Sequence, residues 1–371
     1  MQNTKNMKVF FIIPSLVVGG AERIVALLAH NWSEKENSIT IVTYQDQDKD
    51  FYKVQSPTKK ICIYPTFFSE SILKYIQIIA RLRNIFIFNK DSYFISFLPK
   101  ANILCLIASI GLKRRLVICE RNIINDPDID KKQDFFRRAL YPFAWKISVQ
   151  HEEIYNEFVL HFKKVNKEKI CITPNPIREI IPNSDYLLPS LIKDKKSKTK
   201  LLAIGRFTSV KAFLDLLIIF KSALEKSSEL FLTIIGDGPE FELCKKFVDD
   251  NKMNDFVYLP GKLNIVDNWL CASDVFVNTS KYEGFPNVIA EALSAGLPVI
   301  AFDAPSIKVL IKDTINGFVI PDRSISLFAD KILYLVNNPI VRKKMGLEGK
   351  KFSCKYSLDS INKIWFEKVL I

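Results

Sequence analysis

The chain is short of histidine, short of glycine and free of long apolar runs, and each scarcity excludes a class of protein. Only His30, His151 and His161 occur in 371 residues, and none stands in an H-E-x-x-H or comparable spacing. A zinc or non-haem iron centre therefore has no ligand set in sight. Seven cysteines lie scattered from Cys62 to Cys354 with no C-x-x-C pair. An odd number of dispersed thiols reads as reduced, mostly buried cysteine of a cytosolic protein, not as a disulfide framework. The most apolar stretch, 93–112, is interrupted by Pro99, Lys100 and Asn102. It falls short of the roughly 20 mainly apolar residues of a membrane span. The segment MKVFFIIPSLVVGG from Met7 imitates a signal peptide, but its apolar run stops at Pro14 and no small-residue cleavage site follows. We read it as a buried first strand.

What is present is the material of packed globular domains. Hydrophobic residues make up 48% and charged residues 25%, enough for two sizeable cores at this length. The net charge of +13 suits anionic partners: nucleic acid, phosphorylated small molecules or an acidic membrane surface. Solubility alone is an equally simple account of that charge. No zinc finger, RNA-recognition signature or homeodomain-like element occurs, which excludes nucleic acid as the partner.

Along the chain, short β-branched runs alternate with helical periodicity. Strands are predicted at 8–13, 38–43, 92–97, 115–119, 147–150 and 169–173, with helices at 21–32, 71–88, 100–110, 132–145 and 151–162. The second half repeats the theme, with strands at 200–204, 230–235, 256–259, 274–278, 297–301 and 317–320. Helices fall near 210–225, 239–250, 264–272, 287–295 and 304–312, and 324–371 reads as helical throughout. Continuous apolar strands separated by helices predict parallel sheets covered on both faces. The fold class is therefore α/β, with two doubly wound, Rossmann-like domains. The predicted divisions are 1–185, a lysine-rich solvated linker over 186–199, 200–355, and a C-terminal helix over 356–371 that packs back toward the first domain.

Twelve glycines are about half the usual ~7%. Seven of them (Gly19, Gly20, Gly205, Gly236, Gly238, Gly261 and Gly284) fall just beyond predicted strands, the edge at which open α/β sheets bind ligands. Either backbone approaches a ligand there, or tight turns require φ above zero. Three constellations stand at that edge. Gly19-Gly20 precedes a helix whose free N–H groups favour an anion, although the spacing is not G-x-G-x-x-G. In AIGRFTSVKAF (203–213), Arg206 and Lys211 are two cations able to neutralise a diphosphate leaving group. In KYEGFPNVIAEALSAGLPVIA (281–301), Glu283 and Glu291 form a spaced carboxylate pair about the start of a helix. Glu291 could accept hydrogen bonds from a ribose diol, and Glu283 could reach a sugar hydroxyl. The apolar neighbours of Glu291 predict burial, where an unpaired carboxylate is costly.

These residues resemble retaining glycosyltransferases of family 4. The likeness runs through GRFTSVKAF, LTIIGDGPEFE, DVFVNTSKYEGFPNVIAEALSAGLPVIA and INGFVIP, in family order, and more loosely through GGAERIV, SFLPKANILCLIA, VICERN and PNPI. It spans roughly residues 8–365, and the first half is similar to a bacterial branch that acts on lipid-linked cell-surface glycans. The resemblance implies a GT-B fold, two Rossmann-like domains facing a central cleft, the first binding acceptor and the second donor. It implies a hexosyltransferase that takes a UDP-hexose or UDP-N-acetylhexosamine, with GDP as the second choice of nucleotide. Arg206 and Lys211 would bind and stabilise the leaving diphosphate, with Arg206, Lys211 and Glu283 as the catalytic set. Glu283 would contact the sugar, the backbone of Gly284, Phe285, Pro286 and Asn287 sugar and phosphate, and Glu291 the ribose. Gly19 and Gly20 would approach the diphosphate, and the base would lie near Gly261, Lys262 and Leu263. No metal or other cofactor is implied, since cations and helix N-termini serve instead.

Three departures from the family pattern are legible. Ala212 follows Lys211 where glycine is usual, APSIKVLI (304–311) replaces a Gly-Pro-x-Glu-like segment, and Arg121 in CERN stands where many members carry a catalytic histidine. Glu120 and Arg121 are kept as sugar- or acceptor-side residues. Three mixed basic and apolar clusters, 72–90, 111–116 and 131–146, suit an anionic headgroup boundary. They place the chain peripherally on the inner face of the cell membrane. A nucleotide-sugar epimerase and a non-catalytic subunit of a glycan-assembly complex are the competing readings.

Overall fold

The computed structural model describes residues 6–17, 19–45, 50–63, 72–127, 129–184 and 198–371. The chain forms two units, Met1–Pro176 with Ile361–Ile371, and Ile177–Ser360. The linker predicted over 186–199 lies outside the described residues except for Lys198 and Thr199.

The first unit holds strands β1 (Lys8–Ile12), β2 (Ser38–Thr43), β3 (Lys59–Cys62), β4 (Tyr93–Phe97), β5 (Arg115–Cys119), β6 (Lys146–Val149) and β7 (Ile170–Ile172). They pair in parallel in the order β3-β2-β1-β4-β5-β6-β7. The central strands are buried after their first residue because helices cover both faces. Helices α1 (Gly20–Glu34), α2 (Ile72–Phe88), α3 (Pro99–Ala108), α4 (Lys131–Leu140) and α5 (Glu152–His161) connect them. One core joins Phe10, Phe94 and Ile118 of the sheet to Leu82 and Phe86 of α2, Leu104 of α3 and Phe158 of α5. Register sets Phe10 beside Phe94, with ring centroids 5.3 Å apart.

On the opposite face Trp32 packs against Phe11 and against Trp365 of the C-terminal segment, and its indole N–H donates to Asn362 Oδ1 at 2.7 Å. Two buried tryptophans and one buried hydrogen bond account for the inclusion of the last residues in the first unit.

The second unit holds β8 (Thr199–Ile204), β9 (Leu230–Ile235), β10 (Val257–Gly261), β11 (Val275–Asn278), β12 (Val299–Phe302) and β13 (Gly317–Ile320). They form a parallel sheet in the order β10-β9-β8-β11-β12-β13. Its helices are α6 (Phe213–Leu224), α7 (Phe241–Asp250), α8 (Asp267–Ala272), α9 (Asn287–Ser294), α10 (Ile307–Leu310), α11 (Ile325–Asn337) and α12 (Pro339–Ser353); α13 (Leu358–Ile364) begins in this unit and ends in the first. One core face is built on Phe220, Leu232 and Phe328, the other on Leu202, Phe276 and Leu293.

Three sequence expectations need correction. β3 was not predicted: Lys59 and Lys60 mask a strand whose burial alternates along its length, as an edge strand's does. The helix expected over 132–145 stops at Leu140 and continues as a single 3-10 turn, Tyr141–Phe143, around Pro142. The helix expected near 304–312 shrinks to Ile307–Leu310, entered through Ser306 in the left-handed region.

Candidate active site

In each sheet the strand order reverses once, between β1 and β4 and between β8 and β11. Open α/β sheets bind ligands beyond the carboxyl ends of the strands at such reversals. In the second unit the motif residues collect there. β8 ends at Ile204, and the Gly205 N–H donates to Ile235 O and the Phe207 N–H to Asp237 O, each at 3.0 Å. Arg206, held between those two fixed positions, is exposed. Lys211 closes the same loop. The loop after β11 is fastened to it: Thr279 Oγ1 donates to the Lys211 and Ala212 carbonyls at 2.9 and 3.1 Å, and the Lys281 N–H to Val210 O at 2.8 Å. Across this junction Lys211 Nζ donates to Glu283 Oε1 at 2.5 Å, with the two side chains 20% and 13% exposed.

Two backbone features shape the loops. Gly236 and Gly238 have φ of +149° and +154°. A Cβ on Gly236 would fall 1.7 Å from Gly205 O, and one on Gly238 2.5 Å from Phe207 O. These two glycines therefore bring backbone against backbone, which favours the turn account over approach to a ligand. Ala212 has φ +50° and ψ +45°, the left-handed region, so the alanine stands where glycine would be relaxed.

The EGFPN segment leads into α9. Phe285 and Pro286 are buried, and the Phe285 ring meets Tyr356 with centroids 5.9 Å apart. The Asn287 N–H is turned back onto Phe285 O at 2.8 Å. Glu291, in the second turn, is 4% exposed, as its apolar neighbours predicted. It pairs with Arg178, whose Nε donates to Glu291 Oε1 at 3.3 Å while its two terminal nitrogens pair with both carboxylate oxygens of Asp267. Neither Arg178 nor Asp267 was singled out from the sequence. They lie 113 and 24 positions from Glu291, at spacings no local motif encodes. At the end of β10, Gly261 has φ +77° and its carbonyl accepts from the Gly236 N–H at 3.0 Å. Beyond it Lys262 is exposed and Leu263 packs on the core.

In the first unit the same edge is used differently. Gly19 caps α1 in an extended conformation, and a Cβ there would fall 2.1 Å from Glu22 Oε2. The anion beside this helix start is thus the protein's own first-turn carboxylate. Gly20 is the first residue of α1. Glu120, kept above as a sugar- or acceptor-side residue, is fully buried: Oε2 accepts from Arg137 at 3.1 Å and from the Tyr141 hydroxyl at 2.8 Å. Burial, and next the Glu120 carboxylate, push the Tyr141 phenol well above its ordinary pKa, so it remains a neutral donor. Arg121 is 7% exposed. Its guanidinium donates to Thr173 O at 2.9 Å and Ser148 Oγ at 2.8 Å, and stacks over Phe97. Both side chains are turned inward by partners on β6, α4 and the segment after β7. Among the described residues, no three His, Cys, Asp or Glu side chains gather as a metal-ligand set.

Each unit is built on a parallel, Rossmann-like sheet, the second with cations and carboxylates at its reversal point, and such a pair of sheets is the GT-B architecture. Residues 190–352 match the family described as Glycosyl transferases group 1. Over 98% of both chains, this chain is 28% identical to a Campylobacter jejuni protein. That protein is named GalNAc-alpha-(1->4)-GalNAc-alpha-(1->3)-diNAcBac-PP-undecaprenol alpha-1,4-N-acetyl-D-galactosaminyltransferase. This chain is also 29% identical to an uncharacterized glycosyltransferase of Haemophilus influenzae, where the match covers 50% of this chain and 53%, about half, of the relative. Among solved structures, Anabaena HepE in complex with UDP aligns with a TM-score of 0.80 at 18% identity, over 98% of this chain and all of that one. Residues 190–352 thus resemble the group 1 glycosyltransferases, and the chain has the GT-B fold of that solved structure.

Proposed function

We propose that this protein transfers a hexose or N-acetylhexosamine, with retention of configuration, from a UDP-sugar to a lipid-linked glycan acceptor in cell-surface polysaccharide synthesis. The observation that carries the reading is the Lys211–Glu283 pair at the β8/β11 reversal, with exposed Arg206 on the same loop and Glu291 in the helix that follows. Arg206 and Lys211 stabilise the charge that grows on the diphosphate as the glycosidic bond breaks. Cations pre-placed at such a point lower the barrier because they need not reorganise during the step. Glu283 sets Lys211 in place and reaches a sugar hydroxyl. Glu291 accepts from the ribose diol. UDP is favoured because a protein of the same fold has been solved with it. The lipid-diphosphate acceptor follows the name of the C. jejuni relative.

The work is done at an anionic membrane face. In the first unit, α2 exposes Ile72, Ile76 and Phe88, and α4 with its 3-10 turn exposes Phe135, Phe136 and Phe143 beside Lys131, Lys132 and Arg138. Of the three clusters in the sequence, 111–116 contributes least, because Leu116 is buried and Arg115 lies over the Tyr93 ring. Arg137 also leaves the set, since it faces Glu120. Among the described residues no helix is long and apolar enough to cross a membrane.

Incubation of the protein with UDP-sugars, with and without an undecaprenyl-diphosphate-linked acceptor, tests the reaction. Sugar transfer that needs the acceptor and retains the anomeric configuration supports it. Turnover of UDP-sugar alone would make the protein an epimerase. Glycan synthesis left intact by Lys211→Ala in a complemented strain would make it a non-catalytic subunit. Flotation with anionic liposomes at low salt tests the membrane face, which is wrong if the protein stays at the bottom of the gradient.

A further inference from the structure

Arg178 is joined to the carboxylate assigned to the ribose, and the way it is held points to more than charge balance. The two terminal nitrogens of its guanidinium are taken by Asp267, the first residue of α8. A two-point arginine–carboxylate pair fixes the plane of the fork. That leaves the Nε edge, and Nε is the atom that donates to Glu291 Oε1.

The backbone of Arg178 is fixed as well. Its carbonyl accepts from Ser294 Oγ at 3.4 Å at the end of α9, and the preceding Ile177 N–H donates to Tyr356 O at 2.7 Å. Downstream, Asn183 and Asn268 exchange hydrogen bonds of 2.9 and 2.7 Å. A segment pinned at three points thus presents one Nε–H to one buried carboxylate.

We propose that Arg178 is a positioning residue for nucleotide recognition: oriented by Asp267, it holds the Glu291 carboxylate in the rotamer that accepts from the ribose 2′- and 3′-hydroxyls. The inference rests on the assignment of Glu291 to the ribose. A carboxylate oxygen has two acceptor sites, so the bond from Arg178 leaves Oε1 able to accept again. Arg178 has no contact with substrate in this scheme and acts through Glu291. Its removal therefore costs recognition of the diol and leaves recognition of diphosphate and base in place.

The test compares UDP with 2′,3′-dideoxy-UDP by titration calorimetry. The proteins are the wild type, Glu291→Gln, Arg178→Lys, Arg178→Met and Asp267→Asn, each checked for folding by circular dichroism. The wild type prefers UDP, and Glu291→Gln lowers that preference. Arg178→Met lowers it by about tenfold, the scale of one charge-assisted hydrogen bond, with affinity for the dideoxy nucleotide little changed. Asp267→Asn gives a smaller loss of the same kind. Arg178→Lys, which keeps the charge without the fork, falls between Arg178→Met and the wild type. If Arg178→Met and Asp267→Asn weaken both nucleotides equally, or neither, while Glu291→Gln loses the preference, the positioning role is wrong and the ribose assignment stands. If Glu291→Gln keeps the full preference, the ribose assignment fails and takes the inference with it.

Discussion

The two sheets share a topology and put charged residues just past their strands, yet they use them in opposite ways. Past β8 and β11, Arg206 is exposed and Lys211 and Glu283 keep part of their surface in solvent. Past β5, Glu120 and Arg121 turn inward, where Arg137, Tyr141, Ser148 and Thr173 meet them. The difference lies in the adjoining layer. α4 supplies a fully buried cation below Glu120, whereas Lys211 meets Glu283 across a glycine-lined turn where both side chains are partly exposed. Charged residues past a strand stay available to a ligand where, as at Lys211 and Glu283, their pairing leaves them partly in solvent, and not where, as at Glu120, it buries them completely.

The sharpest way to break this comparison is to disturb the buried side. Glu120→Ala takes from Arg137 its buried carboxylate and leaves only Asp134, 3.4 Å from the other terminal nitrogen; breaking a buried pair costs roughly 3–5 kcal/mol, and Asp134 places the loss at the lower end. Urea unfolding should show that loss. Replacing both members with apolar residues, Glu120→Leu with Arg137→Met, should recover much of it. A loss below about 1 kcal/mol for the single change would mean that the pair matters little to the core.

On the open side, Lys211→Ala should leave unfolding close to wild type and lower kcat by about 100- to 1,000-fold, the range for removing one leaving-group stabiliser. Equal damage to stability and rate would erase the contrast between the sheets.

Gly238→Ala comes next. Its Cβ would strike the Phe207 backbone at a φ of +154°, so a destabilisation of about 1–3 kcal/mol is expected in thermal melts. An unchanged melting temperature would show that the turn can relax. The smallest effect runs the other way. Ala212→Gly relieves a left-handed alanine and should stabilise the protein by roughly 0.5–1 kcal/mol, after the greater freedom of glycine in the unfolded chain is deducted. Destabilisation instead would show that the alanine methyl contributes packing that outweighs its strain.

Much of the fold was legible because parallel sheets make strands continuously apolar and set them apart from amphipathic helices. β3 escaped because an edge strand keeps lysines, and the end of α4 was overrun because apolar periodicity continues through Pro142 into the 3-10 turn. The residues around Lys211 and Glu283 could be chosen from sequence because each motif is local to one strand–helix junction. The Arg178–Asp267–Glu291 cluster could not, since it joins three segments far apart in the chain. The inward turn of Glu120 and Arg121 was equally hidden, because burial of a charge depends on a partner that only the tertiary fold provides. Glycine placement was informative about position and misleading about cause: Gly236 and Gly238 mark the site's edge because strand ends approach one another there.

The central claim is that the β8/β11 edge binds a uridine-diphospho donor. Thermal-shift titration with UDP, GDP, UDP-sugars and NAD, on the wild type and on Glu291→Ala, tests it most directly. The account predicts stabilisation by UDP and UDP-sugars that Glu291→Ala loses. A response to NAD alone, or to no nucleotide at all in the wild type, would contradict it.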